Sequence, residues 1–259
     1  MNLFIMADME GISGICRSSQ VRSDGEHYAQ GRTFLTMDVN ACIEGCFNGG
    51  ARRVTVRDAH GCGYHFLWDE VDARARIIQG DSPRERMPGI GSCDGLILLG
   101  YHAMGGTAAG ILEHTFSSKA WQNLWMNGRR CGEIAVDAAI AGDRGVPTIL
   151  VTGDDKTCRE ARKFLKGART VQVKEGLATE GGILLAREPA HELIRKGAED
   201  AVRNCKSIPP FKVRSPVRLK LELVSRGRVP EPAANRKIVD GRTYEVTADT
   251  VEAALKALF

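Results

Sequence analysis

The sequence predicts an α/β protein: a central, mostly parallel sheet with helices on both faces, followed by a small C-terminal α+β region. Short apolar runs of strand length alternate with longer segments whose apolar residues recur at helical spacing, the pattern of a helix-covered sheet. A chain of 259 residues is long enough for one large domain of this kind with a small companion. Beyond Lys206 the composition changes, with Pro209, Pro210, Pro216, Pro230 and Pro232 in quick succession. The expected division is an α/β domain over 1–205 and a small subdomain over 206–259.

Leu3–Ala7 is the first expected strand. Glu26–Asn48 reads as a helix, because Phe34, Leu35, Val39, Cys42, Ile43 and Phe47 recur on one face and Gly49-Gly50 stops the pattern. Arg53–Arg57, Arg76–Gln79 and Gly95–Gly100 follow as strands, the last built on a continuous Leu-Ile-Leu-Leu run. Trp121–Met126 and Arg129–Cys131 flank Asn127-Gly128, a hairpin signal because both turn residues tolerate positive φ. Glu133–Asp143 is the next helix, Thr148–Thr152 a strand, and Asp154–Leu165 a helix with Asp154 or Asp155 near its N-cap. Thr170–Lys174 is a strand, and Glu188–Cys205 a helix with Pro189 in its first turn. In the last segment Arg218–Leu223 alternates like a half-exposed strand, and Ala248–Leu258 reads as a closing helix.

Composition excludes several classes. Hydrophobic residues are 43% and charged residues 26%, the balance of a globular protein and not of a disordered one. No run approaches the roughly 18 apolar residues that cross a bilayer. Met1–Asp8 has no basic n-region and meets a carboxylate early, so the expected location is cytoplasmic, without a membrane partner. The eight cysteines contain no Cys-x-x-Cys pair and are expected as reduced thiols, Cys42 and Cys46 sharing a helix face. From Lys206 to Arg242 ten Lys or Arg face three Asp or Glu. Only Phe211 interleaves that run, which favours a solvated surface or a subunit contact over nucleic acid. Gly89-Ile90-Gly91 precedes a strand and is no dinucleotide fingerprint, and neither a phosphate loop nor a Gly-x-Ser-x-Gly elbow occurs.

The chemistry-bearing residues sit where a parallel sheet builds its sites, just past the carboxyl ends of strands. Asp8 follows the first strand, His60 the second, and His102 the Leu96–Leu99 run. Asp8 and Glu10 are two apart and point the same way if the extended backbone continues, with Gly11 and Gly14 allowing a sharp bend afterwards. Glu133 opens the helix after the hairpin. Three carboxylates and two imidazoles form a mixed O/N set suited to zinc, manganese or cobalt. Five donors exceed the needs of one four-coordinate ion with an open position, so two divalent ions bridged by Asp8 fit the count better.

Asp58 is a candidate acceptor that orients an imidazole. His114 is left over: an acid/base or nucleophile beside the ions, or a hydrogen-bonded structural histidine. His27, His65 and His191 read as ordinary. Each residue alone has a plainer role as a turn carboxylate, loop residue, buried histidine or helix-dipole carboxylate; their shared location carries the metal reading.

These residues resemble those of the zinc-dependent D-aminopeptidases of the DppA type. The resemblance lies in Asp8-Met9-Glu10-Gly11-Ile12-Ser13-Gly14, Asp58-Ala59-His60, Leu99-Gly100-Tyr101-His102-Ala103, the His114 region, Asn127-Gly128 with Gly132-Glu133, and Gly153-Asp154-Asp155. It implies two zinc ions, with Asp8 bridging, Glu10 and His60 completing one site, His102 and Glu133 the other, and His114 as the catalytic histidine. It also implies a homo-oligomer of two stacked pentameric rings that takes short peptides with an N-terminal D-residue. The pattern departs at Gly61–Leu67, which lacks the asparagine expected before the apolar residue. Other functions compete: a two-metal phosphohydrolase, for which Asp8-Met9-Glu10 lacks the usual following residue, another amidase, and a non-catalytic oligomeric protein with a structural metal site.

Overall fold

The computed structural model describes residues 1–259. Its centre is β1 (Asn2–Ala7), buried from Leu3 to Ala7 because every one of those side chains is apolar. Leu3, Ile5 and Ala7 enter one hydrophobic cluster, and Phe4 and Met6 enter another on the opposite face. The chain continues through α1 (Tyr28–Asn48), β2 (Arg53–Asp58), β3 (Arg76–Ile78) and β4 (Gly95–Leu99). After the hairpin β5 (Trp121–Met126) and β6 (Arg129–Cys131) come α2 (Glu133–Asp143), β7 (Thr148–Asp154) and α3 (Asp155–Phe164). Then follow β8 (Arg169–Ala178), β9 (Gly181–Leu184) and α4 (Arg187–Arg203).

Seven strands lie in the order β3-β2-β1-β4-β7-β8-β9, all neighbours parallel except β8 and β9. The expected mostly parallel sheet is therefore the one observed. α1 and α4 bury Leu35, Val39, Ile43 and Ile194 on one face; α2 and α3 bury Ile134, Ala138, Ala161 and Phe164 on the other. No helix is long and apolar enough to cross a membrane, and all eight cysteines are free.

A second, antiparallel sheet caps the α2 side. It adds β10 (Val217–Leu223), β11 (Arg236–Ile238) and β12 (Thr243–Ala248) in the order β11-β12-β10-β5-β6. The mid-chain hairpin thus shares a sheet with strands beyond residue 206, β10 pairing with β5 from Leu219–Met126 to Leu223–Trp121. The closing helix α5 (Val251–Lys256) is shorter than expected. Ala248 ends a strand: Tyr244 and Val246 point into the core while Thr247 faces out, and this period of two outcompetes the helical pattern. Thr250 then caps α5, its hydroxyl accepting from the Ala253 N–H at 3.2 Å. β9 and β11, of four and three residues, are too short to read from sequence, and β12 is not expected because its alternation is brief and runs into the segment read as the closing helix.

Strand order reverses around β1, with β2 on one side and β4 on the other, so the chain leaves a crevice beyond their carboxyl ends. The exits are stitched together: Asp8 N–H donates to Leu99 O at 2.9 Å, and Gly11 N–H to Gly100 O at 2.7 Å. A Cβ on Gly11 would lie 1.9 Å from Tyr101 O, and one on Gly100, at φ +69°, would lie 2.4 Å from Asp8 O. Backbone cannot yield that much. Gly11→Ala is therefore expected to cost roughly 3 kcal/mol or more. A denaturant midpoint that falls at constant m-value would confirm it, and an unchanged midpoint would refute the close approach.

Candidate metal centre

The crevice gathers two donor groups. Asp8, Glu10 and His60 form one and His102, His114 and Glu133 the other, with ligand-capable atoms within 4.8 Å in each. Asp8 joins them. Its Oδ1 lies 3.1 Å from His60 Nδ1, and its Oδ2 lies 3.3 Å from His102 Nε2. Glu10 Oε2 is 3.0 Å from the same His60 nitrogen, and Glu133 Oε1 is 3.3 Å from the same His102 nitrogen. Asp8, Glu10, His102 and Glu133 are all buried.

Each imidazole is oriented by a main-chain carbonyl. His60 Nε2 is 2.9 Å from Val21 O, His102 Nδ1 3.1 Å from Ala103 O, and His114 Nδ1 2.9 Å from Leu112 O. A carbonyl can only accept, so the bonded nitrogen of each ring carries a proton, and the opposite nitrogen faces the carboxylates, where it would exchange its own proton for a cation. Glu10 Oε2 and His102 Nε2 are buried without a hydrogen-bond partner, although each is within ion-pair reach of a neighbour. Converging lone pairs and buried carboxylate oxygens fit divalent cations.

The titration behaviour agrees with an anionic pocket. Burial would raise Asp8, but its contacts with His102 and His60 outweigh that and hold it well below the usual carboxylate range. Burial would likewise raise Glu133, and His102 and His114 bring it down. Burial opposes charge on His60 and His102, yet the carboxylates of Glu10, Glu133 and Asp8 lift both well above the ordinary histidine value.

The predicted residues therefore meet, with one difference in detail. Asp58 accepts from His65, at 2.6 Å from its main-chain N–H and 3.0 Å from Nδ1, and from the His60 main-chain N–H at 3.3 Å. The imidazole it orients is His65, which stands edge-on to His60 with ring centres 4.8 Å apart. His65 is thus part of the site's support and not an ordinary loop residue; only its spacing from Asp58 hinted at this.

His114 stacks on His102 with ring centres 4.0 Å apart and planes 10° apart. Its segment is strained: Ala109, Leu112 and Phe116 have φ of 54°, 52° and 55°. The twist lets the Phe116 N–H reach Glu133 Oε1 at 2.7 Å, and Asp154 Oδ2 secures the Ile111 N–H at 2.8 Å.

Lys174 is the support that sequence reasoning missed. It reaches across from β8, fully buried, and donates to Glu10 O, Ile12 O and Ile15 O at 2.6, 2.8 and 2.7 Å. Burial pulls its pKa down to about 8. The three carbonyls use all three ammonium protons and pin the loop that presents Asp8 and Glu10.

The centre opens into a cavity of about 630 Å³ with Arg86, Glu113, His114, Phe116 and Glu180 on its walls. A larger groove of about 920 Å³ lies along α1 and the start of α4, lined by charged side chains such as Glu44 and Arg195, and holds none of the expected site residues.

Comparison with known proteins gives three matches. The family described as D-aminopeptidase matches residues 1–259. A D-aminopeptidase of Bacillus subtilis (strain 168) is 29% identical over 230 residues, spanning 88% of this chain and 83% of the relative. A solved structure, the Zn-dependent D-aminopeptidase DppA from Bacillus subtilis, described as a self-compartmentalizing protease, superposes with a TM-score of 0.93 at 27% identity. That match covers 100% of this chain and 95% of that one.

Lys174→Met would leave three buried carbonyls without a donor. It is expected to destabilise the protein by about 3 kcal/mol or more and to weaken divalent-ion uptake at the Asp8–Glu10 loop. Thermal melting with and without added zinc reads both effects; a variant as stable and as zinc-responsive as the parent would show the clamp to be dispensable.

Proposed function

Since this chain belongs to the D-aminopeptidase family, we propose that it is a two-zinc aminopeptidase that removes an N-terminal D-residue from short peptides. The observation that carries the binuclear reading is the placement of the two Asp8 oxygens, one beside each imidazole. In this reading Glu10 and His60 would hold one ion and Glu133 and His102 the other, with the Asp8 carboxylate shared between them. When bound, such a pair polarises a carbonyl and acidifies water toward a pKa of roughly 7.

The chain's own residues do the rest. His114 stays oriented by Leu112 O, so its free Nε2 accepts a proton from the attacking water and returns it to the leaving amine. Glu113 and Glu180 make one part of the cavity wall acidic, which suits the substrate's ammonium group. The preference for a D-residue is supported by family membership. Oligomeric assembly is supported by the likeness to a self-compartmentalizing protease; a cytoplasmic location is supported by the free cysteines.

The test is metal content per chain together with hydrolysis of D-alanyl and L-alanyl p-nitroanilides before and after chelation, with an aryl phosphate as control. Two zinc equivalents, a D over L preference and loss of turnover on chelation are expected. Full activity in metal-free protein would overturn the assignment. Glu10→Gln and Glu133→Gln are each expected to release one equivalent, and Asp8→Asn both. His114→Ala should retain both ions while kcat falls by roughly 100-fold or more; loss of an ion would make His114 a ligand.

A further inference from the structure

Arg86, on the loop between β3 and β4, reaches into the same cavity. Its Nε and Nη2 grip the Asp137 carboxylate at 2.5 and 2.9 Å. Asp137 lies one turn beyond Glu133 on α2, is fully buried, and also accepts from the Tyr101 hydroxyl at 2.6 Å. The Arg86 guanidinium sits 5.0 Å from the centre of the Phe116 ring, and its Nη2 is 3.8 Å from Glu133 Oε2. Two of its nitrogens and one face are thus fixed.

Nη1 is not. It has no acceptor in the chain and is not among the atoms sealed from solvent, so a rigid, charged edge made of one Nη1 N–H and the outer N–H of Nη2 remains available on the cavity wall. The other cations of this wall differ. Arg22 and Lys119 are exposed, and Arg22 is already paired with Asp24 at 2.7 Å. A preorganised guanidinium edge is the side-chain group best matched to a carboxylate.

Building on the aminopeptidase reading, we propose that Arg86 binds the terminal α-carboxylate of the substrate and so selects dipeptides with a free carboxyl group. In a dipeptide the carboxylate carbon lies within about 4 Å of the scissile carbonyl carbon, and each added residue carries it roughly 3.5 Å further. A guanidinium beside Glu133 is at the range of the first case. A longer or amidated peptide would put a neutral carbonyl there instead, leaving the charge unanswered.

The experiment compares kcat/KM of the zinc-loaded protein for D-alanyl-D-alanine and for its C-terminal amide, and measures binding of the same pair to His114→Ala by calorimetry. The free acid should be preferred roughly 10- to 100-fold in both. Arg86→Met should bring the acid-to-amide ratio to near unity. Arg86→Lys, which keeps the charge without the fork, should at least halve it; this variant also serves if the methionine protein does not fold. A ratio near one in the unaltered protein, or a ratio untouched by either substitution, would reduce Arg86 to a clamp on Asp137. Preferential binding of the acid by a protein that hydrolyses neither compound would uphold Arg86 and discard the aminopeptidase reading.

Discussion

A buried carboxylate set between two imidazoles organises this molecule. Asp8 is ionised in the interior because His60 and His102 face its two oxygens, and those histidines come from the exits of the two strands that flank β1. A charge so placed is costly unless its partners are held at hydrogen-bond range. The sheet meets that condition by geometry: parallel pairing sets the three strand ends side by side, and strand-order reversal keeps helices from covering them. The carbonyls of Val21, Ala103 and Leu112 then decide which ring nitrogen faces inward.

Support reaches this cluster from a distance. Lys174 holds the loop of Asp8 and Glu10, Asp58 holds His65 against His60, and Arg86 with Tyr101 holds Asp137 beneath Glu133. Strain accumulates in the 109–116 segment, where three residues with side chains adopt left-handed backbone. Each such residue costs of order 1 kcal/mol or more. The compensation is visible in the bonds that conformation permits, above all that of Phe116 N–H to Glu133.

What the sequence disclosed follows from which forces are local. β1 and β4 are built on continuous apolar runs, β2 carries its Val-Thr-Val alternation, the Asn127-Gly128 turn has its own stereochemistry, and the strand ends therefore pointed to Asp8, His102 and His60 before any tertiary contact was known. β9, β11 and β12 depend on pairing with distant strands, so their patterns are weak in isolation. Lys174 and Arg86 were illegible for the same reason. A lysine in an alternating strand and an arginine in a polar loop look solvated until the carbonyls of residues 10–15 and the carboxylate of Asp137 are brought to them. Asp58 was recognisable as a partner for a histidine, whereas the choice of His65 belongs to the local turn that only coordinates reveal.

The antiparallel sheet has a consequence for biosynthesis. Its β5–β10 seam brings together Asn123 and Glu222, which are 99 residues apart in the chain and bonded at 2.6 Å. A nascent polypeptide can pair β1, β2 and β4 early and close the β5–β6 hairpin locally, but the outer edge of β5 stays unpaired until β10 emerges from the ribosome. The antiparallel layer over α2 is therefore completed only once the last strands have been made, whereas His102, His114 and Phe116, the partners of Glu133, all precede it in the chain.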